Sequence, residues 1–206
     1  MRRTMLITAS LILLAPSPAG ADFPRDCRGG KPLQLVRQTD QVRILATRAE
    51  PAARTFYGCA RPRGRLVRLH LDEDGSPAPE ILRIAGYRVL TDQKRYTREP
   101  GATPSVGAIA YDLRPGRNAS AQTGSLSLAC TDCAPRVTDA VLKANGAFAA
   151  IFGDGREHRR VVRLGGRPAS VTVLDQGAGI EPDSLALRGG IITWRNAGRE
   201  RRARLR

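Results

Sequence analysis

The stretch from Val141 to Arg163 constrains the fold of this chain more than any other. It reads Val-Leu-Lys-Ala-Asn-Gly-Ala-Phe-Ala-Ala-Ile-Phe-Gly-Asp-Gly, followed shortly by Arg-Arg-Val-Val-Arg. Two apolar runs flank Asn145-Gly146, a dipeptide that tolerates the positive φ angles of a type I′ turn, so the pattern predicts strand, tight turn, strand, loop, strand. A chain committed to this grammar in its middle is committed to antiparallel sheet, and the same grammar recurs on both sides.

Upstream, a first unit runs through Leu33–Arg37, Val42–Ala46, Thr55–Cys59 and Leu66–Leu71, with period-2 patterning and turn residues between its four strands. A second unit comprises Ile81–Ile84, a turn at Ala85-Gly86, Tyr87–Thr91, Val106–Leu113 and a fourth strand near Ala119–Ser127. The third unit extends the opening stretch by the hairpin Val161–Leu164, Gly165-Gly166 and Ser170–Leu174. A shorter fourth unit holds Leu185–Leu187, Gly189-Gly190, Ile191–Trp194 and Arg201–Arg206. The anchors Asp40, Gly86, Gly146 and Gly189 fall 46, 60 and 43 residues apart. A period of about 40 to 50 residues carrying four short strands is that of propeller blades, each of which buries its faces against its neighbours. The expectation is an all-β fold: a partial or small β-propeller-like array of about four antiparallel sheet units. Val89, Ile109, Phe148, Ile151, Val162 and Val171 are expected in its core, with Leu187 and Trp194.

The N-terminus bounds the compartment. Met1-Arg2-Arg3 is a basic region, Met5 to Ala15 is apolar, and Ala19-Gly20-Ala21 supplies a small-residue cleavage site. Residues 1–21 therefore read as a secretory signal peptide, leaving 22–206 as a single domain and the protein secreted or extracytoplasmic. The apolar run is shorter than the roughly 20 residues a bilayer span needs, and no second run approaches that length, so no membrane span is expected in the mature chain. Arg2-Arg3 leaves both general and twin-arginine export open. Four cysteines in such a compartment imply disulfides. Cys130 and Cys133 are close enough to pair with each other, leaving Cys27 to Cys59, and that is the favoured one of three connectivities.

The chain carries 34 basic against 19 acidic residues, a net charge of +15, and nearly all of the positive charge is arginine. Losing Arg2 and Arg3 with the signal leaves it strongly basic. Such a balance favours anionic partners through long-range field and counterion release, or it reflects an arginine-rich coding bias spread over solvent faces. Few aromatics are present to stack single-stranded bases.

A resemblance follows from the blade-like units. Ala110-Tyr111-Asp112-Leu113-Arg114-Pro115-Gly116-Arg117, after strand, Gly turn and strand, resembles the blades of TolB-type β-propellers and WD-repeat-like arrays. The segment Val173 to Leu185, with its preceding Asn-Gly hairpin and following Gly-Gly-x-x-x-Trp-like strand, is similar to exported bacterial β-propeller-like repeat proteins of unknown function. The resemblance implies repeated antiparallel blades and carries no catalytic residue. Four units, the last truncated, leave an open arc, a four-bladed ring, a homo-oligomer completing the ring, or a sandwich of the same hairpins.

No constellation of chemistry-bearing residues stands out. Cys130-Thr-Asp-Cys133 lies in the longer second unit and reads as a structural disulfide, since a redox pair needs an activated thiol at a helix start and structural zinc needs four ligands. His70 lies in an alternating strand and His158 in a polar loop, neither with a positioned partner or a G-x-S-x-G motif nearby. Asp72-Glu73-Asp74-Gly75 with Glu80 resembles the start of a calcium loop without its full spacing, and reads as a solvated turn. Asp175 to Asp183 reads as a linker between units, and Asn118-Ala119-Ser120 fits a glycosylation sequon. No catalytic residue, cofactor or metal is expected. The expected function is that of an exported, non-enzymatic binding or scaffold protein with a protein or polymer partner. One alternative is a basic module for anionic polymers, cell-wall polymer or nucleic acid; another is an enzyme of unrecognised type. The C-terminal Arg199-Glu-Arg-Arg-Ala-Arg-Leu-Arg206 reads as a strand with Ala203 and Leu205 inward, which makes Arg202, Arg204 and Arg206 the candidate anion contacts.

Overall fold

The computed structural model describes residue 27 and residues 33–47, 54–61, 64–69, 80–95, 105–114, 121–126, 136–153, 158–165 and 170–206, with backbone alone at 93, 95 and 121–126. Every regular element among them is a strand. Sheet 1 contains β1 (Leu33–Gln38), β2 (Val42–Thr47), β3 (Phe56–Ala60) and β4 (Val67–Arg68). Sheet 2 contains β5 (Ile81–Ala85), β6 (Arg88–Arg95), β7 (Ser105–Asp112) and β8 (Ala121–Leu126). Sheet 3 contains β9 (Arg136–Leu142), β10 (Phe148–Gly153), β11 (Arg159–Gly165) and β12 (Ser170–Gln176). Sheet 4 contains β13 (Ala186–Arg188), β14 (Ile191–Asn196) and β15 (Arg199–Arg204). Each sheet is an antiparallel meander in sequence order. The expected all-β array of four propeller-like units is therefore the fold.

The turns follow from their residues, with one correction. Gly189 and Gly190 both take positive φ between the paired Arg188 and Ile191, and Ala197 and Gly198 do so between Asn196 and Arg199. Two positive φ values in a two-residue loop make a type I′ hairpin. At the central hairpin, however, Asn145 does not take positive φ. Gly146 N–H donates to Lys143 O at 2.9 Å, Lys143 N–H donates to Ala147 O at 2.8 Å, and Gly146 alone has positive φ, 95°. The loop is thus a type I turn closed by a glycine bulge rather than type I′. Asn145 serves it with its side chain, Oδ1 accepting from Ala147 N–H at 3.0 Å.

Three apolar layers bind the four sheets in a row. Val42, Ile44, Ala46 and Phe56 of sheet 1 meet Val89, Ile109 and Tyr111 of sheet 2. The opposite face of sheet 2, Leu90, Ala108 and Ala110, meets Leu142, Phe148 and Phe152 of sheet 3. The opposite face of sheet 3, Ala149, Ile151 and Val161, meets Ile192, Trp194 and Leu205 around sheet 4. Because sheets 2 and 3 are covered on both faces, β7 and β10 are buried almost without interruption, and the sequence there is a continuous apolar run instead of an alternation. Alanines opposite phenylalanines keep the second layer thin; emptying such a site, as in Phe152→Ala, would cost about 3–5 kcal/mol. No apolar cluster of described residues joins sheet 4 to sheet 1.

Polar joints lock the layers. Arg88 and Asp112, both buried on the sheet 3 side of sheet 2, form an ion pair of 3.0 Å, and the Arg88 guanidinium lies against Gly146 of the β9–β10 loop. Asp139 on β9 ion-pairs with Arg83 of β5 at 3.0 Å and accepts from Leu185 N–H at 2.9 Å, so one carboxylate ties sheets 2 and 3 to the residue that leads into sheet 4. Lys143 and Arg163 of the third unit donate to the carbonyls of Leu205 and Arg204.

The expected core residues are buried, with two departures. Val171 is 47% exposed and Leu187 is only partly buried. Sheet 2 lies against β9 and β10 of sheet 3; β12, the outer strand, extends past this cover, so Val171 and Val173 face outward despite their apolar character.

Candidate functional site

The candidate site is the outer face of sheet 4, at one end of the row, where no further sheet packs among the described residues. Side chains alternate along a strand, and Ile192 and Trp194 point into the third apolar layer, so Ile191, Thr193 and Arg195 point out. Register then assigns their neighbours. Arg188 of β13 and Arg204 of β15 flank Ile191; Ala186 and Arg202 flank Thr193; Glu200 stands opposite Arg195. The face is therefore built in three rows: arginine, isoleucine, arginine; then alanine, threonine, arginine; then arginine beside glutamate.

The candidate anion contacts are placed as a strand would place them. Leu205 is 1% exposed, Ala203 is half-buried, and Arg202, Arg204 and Arg206 are exposed. Arg206 lies beyond β15, with its carbonyl oxygen against Gly165 of β11, whereas Arg202 and Arg204 stand in the sheet. Arg188 joins them from 14 residues upstream of Arg202, which inspection of the C-terminal octapeptide alone could not reveal. Arg188, Arg202 and Arg204 have no carboxylate partner among the described residues, so their guanidinium donors face solvent around the exposed Ile191.

Beside this arginine group lies an open cavity of about 440 Å³. Its floor is the short-side-chain row Ala186 and Thr193, lower than the arginine row on one side and the Arg195–Glu200 row on the other. Arg188 forms one end; Glu181, Asp183 and Glu200 gather at the other, with Arg195 among them, 3.9 Å from Glu181. Ser184 ties this end together, its hydroxyl donating to Glu181 O at 2.8 Å and accepting from Arg195 N–H at 3.0 Å.

The face is tied to sheet 3 beneath it by hydrogen bonds to Asp175. Trp194 Nε1 donates to Asp175 Oδ2 at 2.7 Å, and Asn196 Nδ2 donates to the same oxygen at 3.0 Å. Partial burial would raise the Asp175 pKa, but these bonds, with the Gln176 N–H, outweigh it and hold the carboxyl below its ordinary value. The Asp175–Asp183 segment is thus a linker, as expected, and also the clamp between β12 and sheet 4.

Cys27 and Cys59 form a disulfide at the far end of the row, and Arg43 of β2 donates to Cys27 O at 3.2 Å. Cys130, Cys133, His70, the Asp72–Gly75 turn and the Asn118 sequon lie outside the described residues. His158 is exposed beside β11, and Glu80 donates its backbone N–H to the buried Asp92. Within the blade-like motif, Tyr111 is buried, its hydroxyl pushed up to about 12 by desolvation and hence neutral. Asp112, which burial would raise, is held below its ordinary value by hydrogen bonds from Arg114 and the charges of Arg88 and Arg114. The motif's described polar residues, Tyr111, Asp112 and Arg114, are thus engaged in burial and ion pairing within the sheet. Among the described residues no group of three or more His, Cys, Asp or Glu is arranged to hold a metal ion.

No family model, curated protein or solved structure matches the chain, so the architecture and its charged outer face carry the functional reading by themselves.

Proposed function

We propose that this protein is an exported, non-enzymatic binding module, a small β-propeller-like repeat array that holds an anionic polymer on the outer face of sheet 4. The observation that carries the reading is the cross-strand group Arg188, Arg202 and Arg204, exposed around Ile191 with no carboxylate partner among the described residues. Guanidinium groups pair bidentately with phosphate and carboxylate and are weakly hydrated. A rigid sheet holding three of them gives a repeating anion several contacts at little entropic cost. The net charge of +15 adds long-range attraction. The signal-like residues 1–21 and the Cys27–Cys59 disulfide support an extracytoplasmic setting.

The test compares wild type with the triple variant Arg188→Gln, Arg202→Gln, Arg204→Gln in binding polyphosphate, polygalacturonate and single-stranded DNA across a salt series. Wild type should bind the first two with an affinity that falls steeply with salt, and the variant's log–log slope should be shallower by about 2–3. A folded triple variant with unchanged affinity and slope would remove the assignment. Preference for DNA would make nucleic acid the ligand.

A further inference from the structure

We infer that the cavity beside the arginine group receives a zwitterionic ligand, a short peptide with a free ammonium and a free carboxylate, lying across the Ala186–Thr193 floor. This rests on the reading of the outer face of sheet 4 as the contact face and adds a second ligand class, held in the cavity beside the polymer contacts.

The argument is one of charge sign and spacing. In a chain so rich in arginine, a ligand recognised by positive charge alone would meet only positive neighbours. Here Glu181, Asp183 and Glu200 converge on one end of a single cavity, against the one cation Arg195. That end carries an excess of negative charge, whereas the opposite end carries Arg188 with Arg204 two strands away in the same row. A carboxylate ligand is matched at the Arg188 end and repelled at the other; an ammonium is matched only among the carboxylates.

The spacing follows from register. Arg188 and Arg195 lie in rows either side of the Thr193 row, and alternate residues on one face are about 7 Å apart, so the charged rows are separated by roughly 13 Å at the backbone. Long side chains leaning over the low floor shorten the gap between their charges. An extended tripeptide spans about 10 Å, which fits between them, and Thr193 Oγ1 offers a hydroxyl to its backbone midway. Bare polyanions satisfy the arginine end only.

The decisive probes are triglycine, N-acetyltriglycine and triglycine amide, titrated calorimetrically into the purified protein. Triglycine should bind at least 5-fold more tightly than either blocked form. Glu200→Gln combined with Asp183→Asn should abolish the penalty for N-acetylation and leave that for amidation; Arg188→Gln should do the reverse. Polyphosphate binding by the same variants separates the two readings. If polyphosphate binds in an Arg188-dependent way while triglycine shows no preference over its blocked forms, this inference fails and the polymer reading stands. If the ammonium and carboxylate preferences hold without polymer binding, the cavity assignment stands alone. Equal binding of all three peptides by wild type and variants, with native circular dichroism, overturns it.

Discussion

Trp194 on β14 reaches across the boundary between sheets 3 and 4 to donate its indole N–H to Asp175 on β12, 2.7 Å away. The indole is buried in the third layer and its one polar atom is satisfied by a carboxylate that also accepts from Asn196. Trp194→Ala should therefore cost about 3–5 kcal/mol, while Trp194→Phe, which keeps most of the apolar volume but leaves Asp175 with one donor fewer, should cost about 1–3 kcal/mol. Urea unfolding monitored by far-UV circular dichroism separates them; equal stability of both variants and wild type would contradict the packing described.

The buried Arg88–Asp112 pair predicts asymmetric mutants. Arg88→Met strands Asp112 with Arg114 as its remaining cationic partner and removes the guanidinium packed on Gly146; the expected cost is about 3–5 kcal/mol. Replacing both members, Arg88→Met with Asp112→Leu, should recover a large part of that loss, because no buried charge is left unpaired. A double-mutant cycle with no coupling would show that the pair contributes nothing.

Asp139 and Asp175 should leave opposite marks on the pH profile. Asp139 is pushed above its ordinary value by burial, against the hydrogen bonds of Leu185 and Ala140 and the charge of Arg83. The folded state then holds its proton more tightly than the unfolded chain, so stability should fall as pH rises from about 4 through the raised value. Asp139→Asn should flatten that limb. Asp175 is held low, so its contribution is present above about pH 4 and fades as acid protonates the folded carboxyl. Chemical denaturation at a series of pH values, wild type against Asp139→Asn and Asp175→Asn, reads both signs.

The Cys27–Cys59 disulfide joins residues 32 apart in sequence. In the chain-entropy account, closing a loop of that length contributes about 3–4 kcal/mol. Cys27→Ser with Cys59→Ser should lower the denaturant midpoint accordingly, and addition of a reductant to wild type should bring it to a similar value.

Deleting residues 201–206 should destabilise the protein as the loss of a strand, not a tail. It removes most of β15, the buried Leu205 and the carbonyls held by Lys143 and Arg163. Arg202→Gln with Arg204→Gln, whose side chains face solvent, should leave the melting temperature within a degree or two. An unchanged melting temperature in the deletion would place the segment outside the fold.

Local chemistry determined most of the architecture from the sequence. Alternation along Val161–Leu164, the glycine pairs and the Asn145-Gly146 turn act over a few residues, so the strands and the four meanders were legible without tertiary contacts. The same locality explains the inward Ala203 and Leu205, since face follows from period alone. What crosses between strands or sheets was not legible. Whether Asn145 needed positive φ depended on how Leu142 and Phe148 came into register, and Val171 reads as core until β12 is seen to extend beyond the cover of sheet 2. Arg188 joins Arg204 only because both pair with Ile191, and Asp139 meets Arg83 and Leu185 only because the sheets stack in that order. Pattern and turn residues specify each sheet by short-range sterics and burial, but the charged face and the polar joints arise from registers and stacking that bring distant residues together, and only the tertiary structure decided those.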